Sequence, residues 1–166
     1  MPFAYYERLT KRQKAIYDRS DGIAAVLLSE PQALHPLVEA LAEALAGEDR
    51  AQTQLACQQL LDGLTRALSV PPVRVEVLAA RPHARWGELH GLYTEARGGR
   101  PPRITLWMRT ARQRRVVAFR TFLRTLLHEL CHHLDYLLYR LPDSFHTEGF
   151  YKRESSLFHQ LVLEER

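Results

Sequence analysis

Thr125-Leu126-Leu127-His128-Glu129-Leu130-Cys131-His132-His133-Leu134 lies inside a segment, residues 114–139, that contains neither Gly nor Pro. A run of this kind predicts one long helix, and the rest of the chain is read outward from it. Four residues along a helix amount to a rotation of roughly 400°, so His128 and His132 project from one face, one turn apart. Two imidazoles at that spacing can reach a single Zn²⁺, each at about 2.0–2.1 Å. Glu129 follows the first His and is placed as general base for a water held by the ion, whose pKa zinc lowers toward about 7. Leu126, Leu127, Leu130 and Leu134 pack around the motif. His133 points about 100° away from His132 and reads as a packed or solvated histidine. Cys131, on another face, reads as a buried thiol.

Upstream the period changes. Val73-Arg74-Val75-Glu76-Val77-Leu78 alternates as a half-buried strand does. A second strand is expected within Glu88 to Glu95, around Leu89, Gly91 and Tyr93, and a third at Arg103 to Met108. Ala96 to Pro102, with Gly98, Gly99, Pro101 and Pro102, has the composition of a turn. Before Pro71-Pro72, which cannot sit inside a helix, three helices are expected: about Tyr5 to Arg19, Pro31 to Ala46 and Arg50 to Leu68. Beyond the long helix, Leu141-Pro142-Asp143-Ser144 breaks the pattern and a last helix runs from about Gly149. The expected fold is therefore α+β: N-terminal helices, a small, mainly antiparallel sheet, the HExxH-bearing helix and a C-terminal helix. It reads as one domain, 1–166, with a helical part over 1–70 and the sheet and catalytic helices over 71–166.

Catalytic zinc takes three protein ligands and keeps a position open for water. The third must come from outside the motif, and Ser144 to Glu154 offers His146, Glu148 and Glu154. HExxH, then thirteen residues, then His146 with Phe150 four places on, resembles the SprT-like zinc metallopeptidases. A short sheet ending in a strand such as Ile104-Thr105-Leu106 ahead of the motif helix is similar to that family as well. The resemblance covers Val73 onward. It implies a zincin-like fold, Zn²⁺ as cofactor, hydrolysis of peptide bonds in a protein or peptide substrate, His146 as third ligand and Phe150 packed beneath it. Thr147 stands where the family often has Gly, and with two cysteines no Cys-rich zinc module of the family's larger DNA-repair members is expected. Glu154, 22 residues after His132, is the alternative ligand, in the manner of the gluzincins. Asp135 can orient a ligand histidine or stand as a solvated acid. Tyr136, Tyr139 and Tyr151 are each candidates to stabilise an oxyanion. Trp86 and Trp107 read as core or groove residues, and His35, His83, His90 and His159 fit no ligand spacing.

Composition bounds these readings. The chain has 166 residues, 46% apolar and 25% charged, which excludes collagen, coiled coil, disordered tail and disulfide scaffold. The longest apolar run is Ile23 to Leu28, too short to span a membrane. No secretory signal is expected, since Glu7 and Arg8 fall early and no apolar stretch precedes them; with Cys57 and Cys131 the only cysteines, the expected compartment is the cytoplasm. Of the 23 basic residues only Lys11, Lys14 and Lys152 are lysines. Between Glu95 and Glu129 no acid occurs, while nine arginines do, from Arg97 to Arg124. Such a field attracts polyanions, so a nucleic-acid-associated protein with a structural or vestigial zinc site is the alternative reading, and DNA association through Arg97–Arg124 a possible companion to proteolysis.

Overall fold

A computed structural model describes residues 2–84, 87–88 and 90–163. Trp86, Leu89 and the His83 side chain fall outside the described residues. The fold is α+β, with five α-helices and a small three-stranded mixed sheet among the described residues.

The first expected helix is in fact two pieces. A 3-10 turn at Ala4–Arg8 is followed by α1, Lys11–Asp21. The break is a capping box: Thr10 Oγ1 accepts from the Gln13 N–H at 3.1 Å while Gln13 Oε1 accepts from the Thr10 N–H at 2.9 Å. A 3-10 turn at Pro31–Leu34 leads into α2, His35–Ala46, and Asp49 caps α3, Arg50–Ala67, by accepting from the Gln52 N–H at 3.0 Å.

Strand β1, Arg74–Ala80, is followed by the two-residue pair β2, His83–Ala84, and β3, Gly87–Glu88. Then come β4, Gly91–Thr94, and β5, Arg103–Arg109. The order in the main sheet is β1-β5-β4, with β5 parallel to β1 and antiparallel to β4. The sheet is thus mixed, where a mainly antiparallel one was expected. Alternation along a strand specifies its faces but not its neighbours or their direction, and here β5 turns back from β4 into the central place. Ile104 to Met108 are all buried, as a strand covered on both faces must be.

The two edges of this sheet are treated differently. Along β1, α3 takes the place of a neighbouring strand. Gln54 Oε1 accepts from the Val77 N–H and Gln58 Oε1 from the Val75 N–H, at 3.0 and 2.9 Å. Gln58 Nε2 and Arg50 Nη1 donate back to the carbonyls of Val73 and Val77. Positions 50, 54 and 58 share one helical face, which is how a helix can close a sheet edge. The outer edge of β4 has no strand partner among the described residues, and it lies beside α4, Phe119–Leu137.

Helix α4 starts at Phe119, five residues later than the expected Arg114. Those residues form a turn instead: Arg114 takes φ 51°, the Thr110 N–H donates to Arg115 O at 2.9 Å, and the Val117 N–H to Met108 O at 2.8 Å. Phe122, Leu123, Leu126, Leu127, Leu130 and Leu134 bury one face of α4, each stabilising the fold by roughly 1.5–3 kcal/mol. Helix α5, Glu148–Leu161, packs on α4 after an N-cap in which Thr147 Oγ1 accepts from the Phe150 N–H at 2.8 Å. One buried apolar cluster runs from Val26 through α2, α3, the sheet and α4 to Leu161. No helix among the described residues is long and apolar enough to cross a membrane.

Candidate metal centre

One turn of α4 separates His128 and His132, whose ring centroids lie 5.2 Å apart. The loop before α5 brings His146 to them, and one donor nitrogen from each of the three lies within 4.8 Å of the others. His146 Nε2 is 3.1 Å from His132 Nε2. Phe150 lies against all three imidazoles, at 4.7–5.1 Å between centroids, and is itself fully buried.

The remaining ring nitrogens decide what these imidazoles can do. His128 Nδ1 faces Glu154 Oε1 at 2.8 Å and, against a carboxylate, must carry the proton. His132 Nδ1 lies 2.7 Å from Ser144 Oγ, whose own proton goes to Asp135 Oδ2 at 2.7 Å, so Ser144 accepts and His132 Nδ1 donates. Both rings thus use Nδ1 for an orienting contact and turn Nε2 toward the shared space, where His132 Nε2 meets His146 Nε2. Burial, and the neighbouring His128 and His146, push His132 down to about 3; burial first and then His128 also lower His146. Three imidazoles converging on one space are a donor set that suits a divalent metal, and these three can hold one.

Glu154 is not among the converging donors: it sits behind His128, with Oε2 also 3.5 Å from Arg124 Nη1. Glu148, in the first turn of α5, is not among them either. Asp135 is fully buried and reaches His132 through Ser144; its Oδ1 accepts from Arg153 Nη2 at 3.0 Å. Burial raises the Asp135 carboxyl by more than Arg153 and Ser144 lower it. Arg153 continues the chain of contacts to Ser20 O, Ile23 O and Ser20 Oγ.

Glu129 is buried, with Oε2 4.0 Å from His128 Nε2. Burial pushes its carboxyl up to about 7, with Glu154 adding to the rise, while His128 and the Tyr93 backbone N–H pull it down. Gly91 of β4 gives it room: a Cβ there would stand 2.7 Å from Thr125 and 3.1 Å from Glu129 Cγ. Two clefts meet at Glu129. One, of about 420 Å³, includes His90, Gly91, Arg124 and Thr125; the other, of about 260 Å³, includes Leu92, Tyr93, His132 and Tyr136.

His133 is packed, and it has a task the sequence did not disclose. Its Nε2 donates to Pro71 O at 2.7 Å, so its Nδ1 accepts from Tyr93 OH at 2.8 Å, tying β4 to α4. Among the tyrosines, Tyr136 lines the smaller cleft, Tyr151 lies 5.8–5.9 Å from the rings of His146 and His128, and Tyr139 lies under the Arg153 guanidinium. Trp107 and Cys131 are buried, and His35 bonds Gln160 O. Ser144 and Arg153 escaped the sequence reading. Arg153 did leave a signal, since it stands on the apolar stripe of Phe150, Leu157 and Leu161, where a charge needs a buried partner.

No family model, no curated protein and no solved structure matches the chain.

Proposed function

We propose that this chain is a SprT-like metallopeptidase, hydrolysing peptide bonds in protein or peptide substrates in the cytoplasm with Zn²⁺ held by His128, His132 and His146. One observation carries the reading: one nitrogen from each of three imidazoles lies within 4.8 Å of the others, beside a buried carboxyl, Glu129, on the same turn of helix. Zinc in such a site polarises a carbonyl and acidifies water. Glu129 accepts the proton of the attacking water and returns it to the departing amine. The clefts on either side of Glu129, which β4 flanks, can receive the side chains of an extended peptide. Tyr136, its hydroxyl pushed up to about 12 chiefly by burial, stays protonated and can donate to a developing oxyanion.

Protein prepared without chelator is expected to carry one zinc per chain and to cleave an unfolded protein substrate. A chelator should abolish cleavage and lower the melting temperature, and added zinc should restore both. Absence of stoichiometric metal would overturn the reading. A second reading has its own observation: Arg74, Arg97, Arg100 and Arg103 line a cleft of about 700 Å³ at the turn joining β4 and β5. In that reading the arginines bind nucleic acid and the zinc site is structural or vestigial. It requires DNA affinity to fall steeply with salt, by close to one log–log unit for each phosphate contacted.

A further inference from the structure

We propose that the N-terminal segment, residues 3–21, positions the metal centre by fixing the loop that presents His146. This rests on the metal site proposed above and adds a role for a part of the chain outside the SprT-like resemblance. His128 and His132 are each oriented through Nδ1 by a side chain, Glu154 and Ser144. The Nδ1 of His146 has no such partner among the described residues; its ring rests on Phe150 and Tyr151, and the backbone that carries it sets where it stands.

That backbone is held almost residue by residue from the N-terminal segment. Tyr5 OH donates to His146 O at 2.7 Å; its pKa, pushed up to about 12 chiefly by burial, keeps the donor protonated. Tyr17, fully buried, packs its ring on Tyr5 and on Phe145, at 5.7 and 6.3 Å between centroids. Its hydroxyl accepts from the Phe3 N–H at 2.9 Å, which anchors the start of the segment. Ser20 Oγ and Thr147 Oγ1 are hydrogen-bonded at 3.1 Å, and Asp21 Oδ1 accepts from the Gly149 N–H at 3.0 Å. The approach is so close that a Cβ on Gly149 would meet the carbonyl oxygens of Ser20 and Asp21 at 2.6 Å. Residues 145, 146, 147 and 149 are thus all seated on residues 5–21, more than 120 positions away in sequence.

Zinc affinity of the full-length chain, measured by competition with a chromophoric chelator, tests this alongside the melting temperature of the metal-free protein. Tyr5→Phe keeps the ring packing and removes only the hydroxyl; it is expected to weaken zinc binding roughly tenfold, the low end for residues that orient a ligand. Asp21→Ala should weaken it similarly, and Asp21→Asn should recover the wild-type affinity, because the amide oxygen still accepts from Gly149 N–H. Tyr6→Phe, whose hydroxyl bonds Asp18 within the same segment, should change nothing. Unchanged zinc affinity in both Tyr5→Phe and Asp21→Ala would overturn the proposal, as would a fall in melting temperature with no change in affinity. A wild-type chain that binds no zinc, or a His146→Ala variant that binds it equally well, would instead overturn the three-histidine site itself.

Discussion

Glu129→Gln is expected to keep its zinc and to lose peptide hydrolysis by roughly 10²–10⁴-fold, the usual contribution of a positioned general base. The amide preserves the shape that Gly91 and Thr125 enclose and can still accept from the Tyr93 N–H, but it cannot take a proton from water. The same change has a second consequence, visible without substrate. The Glu129 carboxyl rises from an ordinary 4.5 to about 7, so between those pH values the metal-free folded chain keeps a proton that the unfolded chain has released. Stability of the metal-free protein is therefore reduced as pH rises through that window, and the full cost is present above about pH 7. His132 shifts the other way, but it is common to both proteins and cancels in the comparison. Metal-free Glu129→Gln should be more stable than wild type at about pH 8 by roughly 1–3 kcal/mol, the two converging below about pH 4.5. Thermal melts of the chelated proteins at both pH values, with metal content and hydrolysis rates, check every part. Full activity in the variant would remove Glu129 from the mechanism.

The largest loss of stability is expected from Arg153→Met. Arg153 is 1% exposed and Asp135 fully buried, and truncating one member of a buried ion pair costs about 3–5 kcal/mol because the other is left charged and unpaired. Here the damage spreads, since Arg153 also satisfies the carbonyls of Ser20 and Ile23. Asp135, freed from Arg153, also holds Ser144 less well, and Ser144 orients His132, so zinc affinity should fall together with stability. Adding Asp135→Asn to Arg153→Met should recover part of the loss, because it removes the unpaired charge. Urea unfolding of the single and double variants measures this; additive losses would show that the pair is not coupled.

Much of the architecture could be read locally. Helices α2 and α3, strands β1 and β5 and the motif helix follow from apolar spacing and from where Pro and Gly interrupt it. The break between the N-terminal 3-10 turn and α1 was missed in expecting one helix over Tyr5 to Arg19, although Thr10 followed three residues later by Gln13 is a capping-box pattern. The late start of α4 was not legible: residues 114–118 are compatible with helix, and only pairing of Arg109 with Val116 at the end of β5 draws them into a turn. The direction of β5 beside β1 was hidden for a similar reason, because strand pairing is settled between segments and not within them.

At the site, local order and long-range order divide along the same line. The helical period places His128, Glu129 and His132 within one turn whatever surrounds them, so that half of the centre is written in five consecutive residues. Which residue of the following segment joins them is not. His146 and Glu154 both stood within reach, and the fold brings His146 into the donor cluster while turning Glu154 onto the back of His128. That choice depends on Tyr5, Ser20 and Asp21 seating the loop, and on the buried Asp135–Arg153 pair locking α4 to α5. Contacts across more than 120 residues form only when burial of the whole core outweighs the entropy of closing the chain, a balance no single stretch of sequence contains.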